Sequence, residues 1–437
     1  MENLGIVVTP HPLAGVTREE IRKRAEAAID DMIKIWTHAL EAARVKEKPA
    51  IAVIKVTGKD YADAFHKFNR LFLVENRWGD GLPLVPPTRE YVDWMLTGTD
   101  RSPDEVIVET RPSGRAATVE AIAINAVMAG AIPAYMPVII AALQAFDAIP
   151  WGWGSVTTTS SVAPFVVVNG PIAKQLDINS KTNAMGYGWR ANASIGRTLE
   201  LIFSTVGGAI PGFTDMSTLG CPSTFTSRVF AENEDVLEDL GWPTFAEERG
   251  FDKRANAVSV TVAPVGYRTW FHYEPKTAEE FMENLIWAVA PLNFMGGGPE
   301  FRQLAVFVLN PEGAKILADS GWTKEDIRYS LATRASKKWS VPIKECLDVI
   351  DWSKSWYTDK APKWFKALPD DYPISIFPSD VGDIYIFVAG GAGKESHYYP
   401  NYDLCPVVTK EIKLPKNWEE ILQKADIATM PMLKLPW

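Results

Sequence analysis

At 437 residues, with 47% hydrophobic and 23% charged side chains, the chain can bury a large core in two or three domains, which excludes extended disorder. Its net charge of −9 excludes the basic face that nucleic-acid phosphates require. No apolar run reaches the roughly 20 residues of a membrane helix, and MENLGIVVTPHP lacks the basic start and long apolar core of a secretion signal.

In chain order, LGIVV predicts a short buried strand. TREEIRKRAEAAIDDMIKIWTHALEAARV predicts a helix, with Thr17 as its cap and Glu20 completing the capping box. Ile21, Ala25, Ala28, Ile29, Met32, Ile33 and Trp36 form one apolar stripe at helical spacing. A strand and a helix of this size cannot bury themselves, so residues 1–60 are expected to form a small N-terminal segment packed on the main body or on another chain. AIAVIKVTG (50–58) predicts a further strand.

The main body is expected over 61–437. GDGLPLVPPT is a loop feeding a helix capped by Thr88, EVIVET is a strand, and Ala116 to Phe146 reads as a buried helical pair. FVVVNGPIAKQL (165–176) and VFVLNPEGAKIL (306–317) share a strand, an Asn–Pro/Gly turn and a helix start. If this weak repeat is a duplication and not the chance likeness of two short apolar segments, it divides the body into two pseudo-repeated halves, about 61–240 and 241–437. IYIFVAGGAGKES adds a third strand ending in glycines. Such units predict an α/β fold: a mixed, partly parallel sheet with strand–turn–helix units packed by helices, and ligands at the carboxyl ends of its strands. The tail ADIATMPMLKLPW is expected to lie along a surface.

Candidate site residues gather in the polar, glycine-rich turns. In GGAGKES, Gly390, Gly391 and Gly393 would converge backbone N–H groups on an anion, with Lys394 adding charge and His397 close behind; a plain tight turn is the alternative. GWRANASIGR sets Arg190 and Arg197 seven residues apart, two turns along one helix face, with Asn192 and Ser194 between them. They suit a bidentate grip on a carboxylate or phosphate, unless both pair with structural carboxylates. GFTDMSTLGCPSTF holds Asp215 and Cys221, a possible base and nucleophile in a hydroxyl-rich loop, to which His272 or His397 could come in space. Thr158 and Asn169 add hydrogen-bonding groups, and Asp80 and FMGGGPEF mark further loop tips.

Cys221, Cys346 and Cys405 form neither a disulfide framework nor a zinc pattern, which fits a cytoplasmic protein. The five histidines form no HxxxH or HxH pair, so no protein-built zinc or iron site is expected, while carboxylate-bound magnesium stays open. There is no nucleotide motif, which leaves the cofactor unknown. The 16 tryptophans fill core and interface, or line a pocket.

DGLPLVPPT, ATVEAIAINAVMAGA, VVNGPIA, GWRANASIGR, DMSTLG and VAGGAGKES, spread over roughly residues 70–410, resemble an uncharacterised bacterial family. Its members are often encoded beside proteins bearing a U-G-S-C or C-G-S-C motif that resemble the selenoprotein B component of the glycine reductase type. The first 45 residues resemble the carboxyl end of that neighbour, which implies a fusion of a truncated partner with the full second protein. This chain has no U-G-S-C or C-G-S-C motif, and family members often carry serine or another residue where Cys221 stands. The resemblance therefore implies a partner subunit that supplies the thiol or selenol, in a hetero- or homo-oligomer without nucleic acid or membrane.

Three functions remain open. The first is a subunit of a heteromeric oxidoreductase or lyase acting on a small polar or carboxylate-bearing substrate by thiol- or selenol-dependent cleavage. The second is a stand-alone hydrolase or isomerase using Cys221 or Asp215. The third is a non-catalytic structural subunit.

Overall fold

The computed structural model describes residues 7, 17–42, 53–269, 274–289, 303–338, 369, 371–375, 377, 381–402 and 405–425. Most of LGIVV, all of FMGGGPEF, His272 and Cys346, and nearly all of the C-terminal tail lie outside them. The chain divides into two compact units: Met1–Thr57 with Lys337–Ile374, and Gly58–Ser336 with Ser375–Trp437.

In the first unit, α1 (Arg18–Ala42) begins at the expected cap. The Thr17 backbone N–H donates to Glu20 Oε2 at 3.0 Å, and the Glu20 N–H donates to Thr17 Oγ1 at 3.3 Å. Ala28 is buried, while Ile21, Ile29, Met32 and Ile33 on the same stripe are exposed. Residues 53–58 form no strand, contrary to expectation, and Val53 and Ile54 are exposed. Alternating apolar residues make a strand only where a neighbour takes up the backbone N–H and C=O groups.

The second unit has the expected α/β composition, arranged as two mixed four-stranded sheets packed face to face with helices outside each. One sheet has the order β12 (Val408–Glu411), β5 (Ala257–Ala263), β3 (Ala163–Asn169), β4 (Arg228–Ala231). The other runs β10 (Ile384–Val388), β7 (Gln303–Leu309), β11 (His397–Tyr402), β6 (Tyr267–Arg268). β1 (Val106–Glu109) and β2 (Ala116–Thr118) form a separate antiparallel ribbon.

Period-two alternation explains the layering. Val166 and Val168 of β3 face the outer core with α4 (Val119–Met128), α5 (Met136–Asp147) and α8 (Arg190–Thr205), whereas Phe165 and Val167 face the other sheet. On β7, Phe307 and Leu309 face α11 (Ala278–Val289), α12 (Pro311–Asp319) and α13 (Lys324–Arg334), whereas Val306 and Val308 face inward. β3, β5 and β10 are buried at every position, so both their faces are covered; β3 and β10 read as near-continuous apolar runs, while β5 carries the buried hydroxyls of Ser259 and Thr261.

The two sheets have the same strand arrangement. β3 has β4 parallel on one side and β5 antiparallel on the other; β7 has β10 parallel and β11 antiparallel. The fourth strands are exchanged. β6, which follows β5 in the chain, edges β11, and β12, which follows β11, edges β5. The sheet built on β3 and β4 therefore takes two of its strands from beyond residue 240. No helix among the described residues is long and apolar enough to cross a membrane.

Candidate functional site

The residues singled out in the sequence fall into two groups, at opposite ends of the parallel β3–β4 pair. The first group surrounds the start of β4. There α8 presses so closely on Thr226 that a side chain at Gly196 would collide with the Thr226 carbonyl. This approach lets Ser227 Oγ donate to Glu200 Oε1 at 2.9 Å. Glu200 is only partly accessible. Burial pushes its carboxyl up to about 8; Ser227 and Arg228 oppose the shift, while Asp215 and Asp80 reinforce it.

Arg228 is the centre of this group. Its guanidinium is buried, donates to the Ala263 carbonyl at 2.9 Å and lies 5.3 Å from the centroid of the Tyr399 ring. Burial pulls its pKa down, while the nearby Tyr399, Cys221 and Glu200 favour its charge. Among the described residues it has no carboxylate at ion-pair distance. Cys221 is a buried free thiol. His397 reaches this group through Tyr399: its Nδ1 lies 3.3 Å from the Tyr399 hydroxyl, and its Nε2 lies 3.2 Å from Glu395 Oε1.

Asp215 organises the neighbouring loops. Its Oδ1 accepts from the Ser217 N–H at 3.0 Å and from Ser217 Oγ at 2.7 Å. Ser217 Oγ also approaches the carbonyls of Ser160 and Thr158, while the Thr158 hydroxyl accepts from the Ser160 N–H. Arg197 makes a bidentate grip on an internal carboxylate. Its Nε and Nη2 bind Asp80 at 2.6 and 3.0 Å, and Nη2 also meets the carbonyls of Leu82 and Pro83, fixing the GDGLP loop on α8. Arg190 begins the same helix and donates to the Gly130 carbonyl at 3.2 and 3.1 Å, from an exposed position.

The second group lies at the carboxyl ends of β3, β4 and β10. Asn192 is buried there and ties three segments together. Its Oδ1 accepts from the Asn179 N–H at 2.9 Å, and its Nδ2 donates to Val229 O at 2.8 Å and Ala184 O at 3.1 Å. Asn192→Leu is expected to cost about 2–4 kcal/mol in urea unfolding, because buried backbone groups lose their partners. A cost below about 0.5 kcal/mol would contradict that role.

Asn169 Nδ2 donates to Glu232 Oε2 at 2.9 Å and to Glu234 Oε1 at 3.1 Å, and its own Oδ1 is buried without a partner among the described residues. The Gly390 N–H donates to the Ser180 carbonyl at 2.9 Å, and Gly391 packs where any side chain would strike Thr182. Gly393 O accepts from Asn310 Nδ2, and Lys394 Nζ donates to Pro275 O at 3.1 Å. The glycine loop thus seats β10 against residues 180–182, with the Gly390 N–H committed to that contact. Beside it a cleft of about 350 Å³ opens beyond the carboxyl ends of β3 and β4.

Glu200, Ser227, Arg228 and Tyr399 were not legible as site residues. The available signals were a charged residue opening the apolar strand RVFA and a glutamate three places after Arg197. Among the described residues no three His, Cys, Asp or Glu side chains group as metal ligands would.

Fold and site together define the second unit as a four-layer helix–sheet–sheet–helix arrangement with an arginine–thiol–carboxyl centre around the buried Arg228. No protein-family model matches the chain, and none of the curated proteins or solved structures is significantly similar to it.

Proposed function

We propose that this chain acts on a small polar or carboxylate-bearing substrate at the Arg228 centre, by thiol-dependent cleavage of the oxidoreductase or lyase kind, as a component of a heteromeric enzyme. The observation that carries this is Arg228 itself: a buried guanidinium, hydrogen-bonded to the Ala263 carbonyl and near enough to Cys221 to act on its charge, with no ion-paired carboxylate among the described residues. A buried cation is costly until an anion joins it. A substrate carboxylate, or negative charge developing during cleavage, is the anion that this centre would stabilise. Glu200, protonated near neutral pH, would supply a proton to a leaving group. Arg228 replaces Arg190, Arg197 and Lys394 as the anion holder in this proposal, because those three are bonded to Gly130, Asp80 and Pro275.

The partner in this proposal is a C-G-S-C or U-G-S-C protein, supported by the sequence resemblance alone. Cytoplasmic placement belongs to the same proposal and is supported by Cys221 being a free thiol. Native mass spectrometry of the protein from its source is expected to show a stoichiometric partner of that kind. A homo-oligomer alone would overturn the heteromeric half.

A second reading, a stand-alone hydrolase or isomerase with Cys221 as nucleophile, is favoured by the electrostatic attraction between that thiol and the Arg228 guanidinium. Both readings need the centre to take an anion. The test compares alkylation of Cys221 by iodoacetate and by neutral iodoacetamide. Guided by Arg228, iodoacetate should react faster and saturably. Arg228→Lys should keep part of that preference, and Arg228→Met should lose it. Iodoacetamide preferred in the native protein, or no labelling of Cys221 at all, would count against the centre.

A further inference from the structure

The cleft beyond the carboxyl ends of β3 and β4 lies at the opposite end of these strands from the Arg228 centre. Two parallel strands lead there into separate helices, α7 (Pro171–Gln175) and α9 (Glu234–Leu240), which part to leave a crevice. At about 350 Å³ it is at the small end of the range for ligand pockets. Its lining includes Lys174, Lys181, Asn233, Glu234, Asp235 and Trp189.

The charges in this lining are paired unevenly. Lys174 Nζ lies 2.5 Å from Asp235 Oδ1, and Lys181 Nζ lies 3.8 Å from the other oxygen of the same carboxylate. Two ammonium groups share the Asp235 carboxylate, and Lys174 also acts on Glu234 at longer range. Glu234 has no lysine or arginine at ion-pair distance among the described residues. Its Oε1 accepts from the Gly170 N–H at 2.7 Å and from Asn169 Nδ2 at 3.1 Å. Burial holds the Glu234 carboxyl above the usual carboxylate range, and the neighbouring Glu232 adds to the shift. Glu232 itself is matched by the buried Lys324, and Asp177 also lines the cleft.

A ligand carrying only one charge would satisfy one wall and leave the other unpaired. Trp189, half-buried, supplies an aromatic face, and Asn233 an amide, between the charged groups.

We infer that the cleft binds a small zwitterion of the α-amino-acid class, its carboxylate toward Lys174 and Lys181 and its ammonium toward Glu234. This site is separate from the Arg228 centre and does not depend on the function proposed there.

Calorimetric titration of the full chain with L-alanine, L-serine and L-glutamate tests it, with propionate and propylamine as single-charge controls. At least one amino acid should bind, and both controls should bind about tenfold more weakly or not at all. Glu234→Gln keeps the acceptor for Gly170 but removes the charge, and it should weaken amino-acid binding about tenfold, as should Lys181→Met on the exposed rim. Arg228→Met should leave this binding unchanged. Absence of binding by all three amino acids would overturn the inference. So would binding indifferent to Glu234→Gln, or propionate or propylamine binding as well as the amino acids through the same residues.

Discussion

Glu200→Gln is expected to stabilise the protein by about 4 kcal/mol near pH 8 and to change it little near pH 4. The Glu200 carboxyl is pushed from its ordinary 4.5 to about 8, so between those values the folded state holds a proton that the unfolded state has released. Stability from this group is fully present below about 4.5 and is lost as the pH rises through about 8. Glutamine stays neutral at every pH and can still accept from Ser227 Oγ, so it removes the slope and keeps the hydrogen bond. Urea denaturation across this pH range checks both points. Parallel stability curves for the two proteins would mean that Glu200 is ionised and solvated in the fold.

Glu232→Leu is expected to cost about 3–5 kcal/mol, the largest loss among these predictions. The Glu232 side chain is fully buried. It accepts from Phe245 N–H at 2.7 Å, from Asn169 Nδ2 at 2.9 Å and from Val388 N–H at 3.3 Å, and it faces Lys324 Nζ at 3.4 Å. Leucine would leave the buried Lys324 with only Glu248, at 3.7 Å, and orphan the donors that join β3, β10 and the turn before Phe245. Glu232→Leu combined with Lys324→Met should recover part of the loss, because the uncompensated charge is gone. A double variant no better than the single would place the whole effect in the lost backbone contacts.

Much of the α/β fold was legible because its central strands are continuous apolar runs bounded by Asn, Gly and Pro. FVVVNGP gave β3 and its turn, VFVLNPEG gave β7 and α12, and the Thr17 and Thr88 caps stand at the expected helix starts. The division into two facing sheets was not legible. It depends on which neighbour each strand pairs with, and the exchanged edges are carried by short segments, Tyr267–Arg268 and Val408–Glu411, that have no strand pattern of their own.

The candidate site was legible in its loops and not in its centre. Arg197 is where a carboxylate was expected, but the carboxylate is Asp80, 117 positions away in the chain. Glu200 and Ser227 are 27 positions apart, and Arg228 meets Tyr399 across two strands of different sheets. Such proximity comes from β4 lying beside α8 and facing β11, which no local spacing encodes.

The central claim is that Arg228 is a cation built to receive an anion. A crystal structure of the protein in bromide, phased on the anomalous signal, tests it most directly. The account predicts a bromide at hydrogen-bond distance from the Arg228 guanidinium, near the Cys221 thiol, and its disappearance in Arg228→Met. Bromide only at surface lysines, with the Arg228 guanidinium fully enclosed by protein atoms, would contradict it.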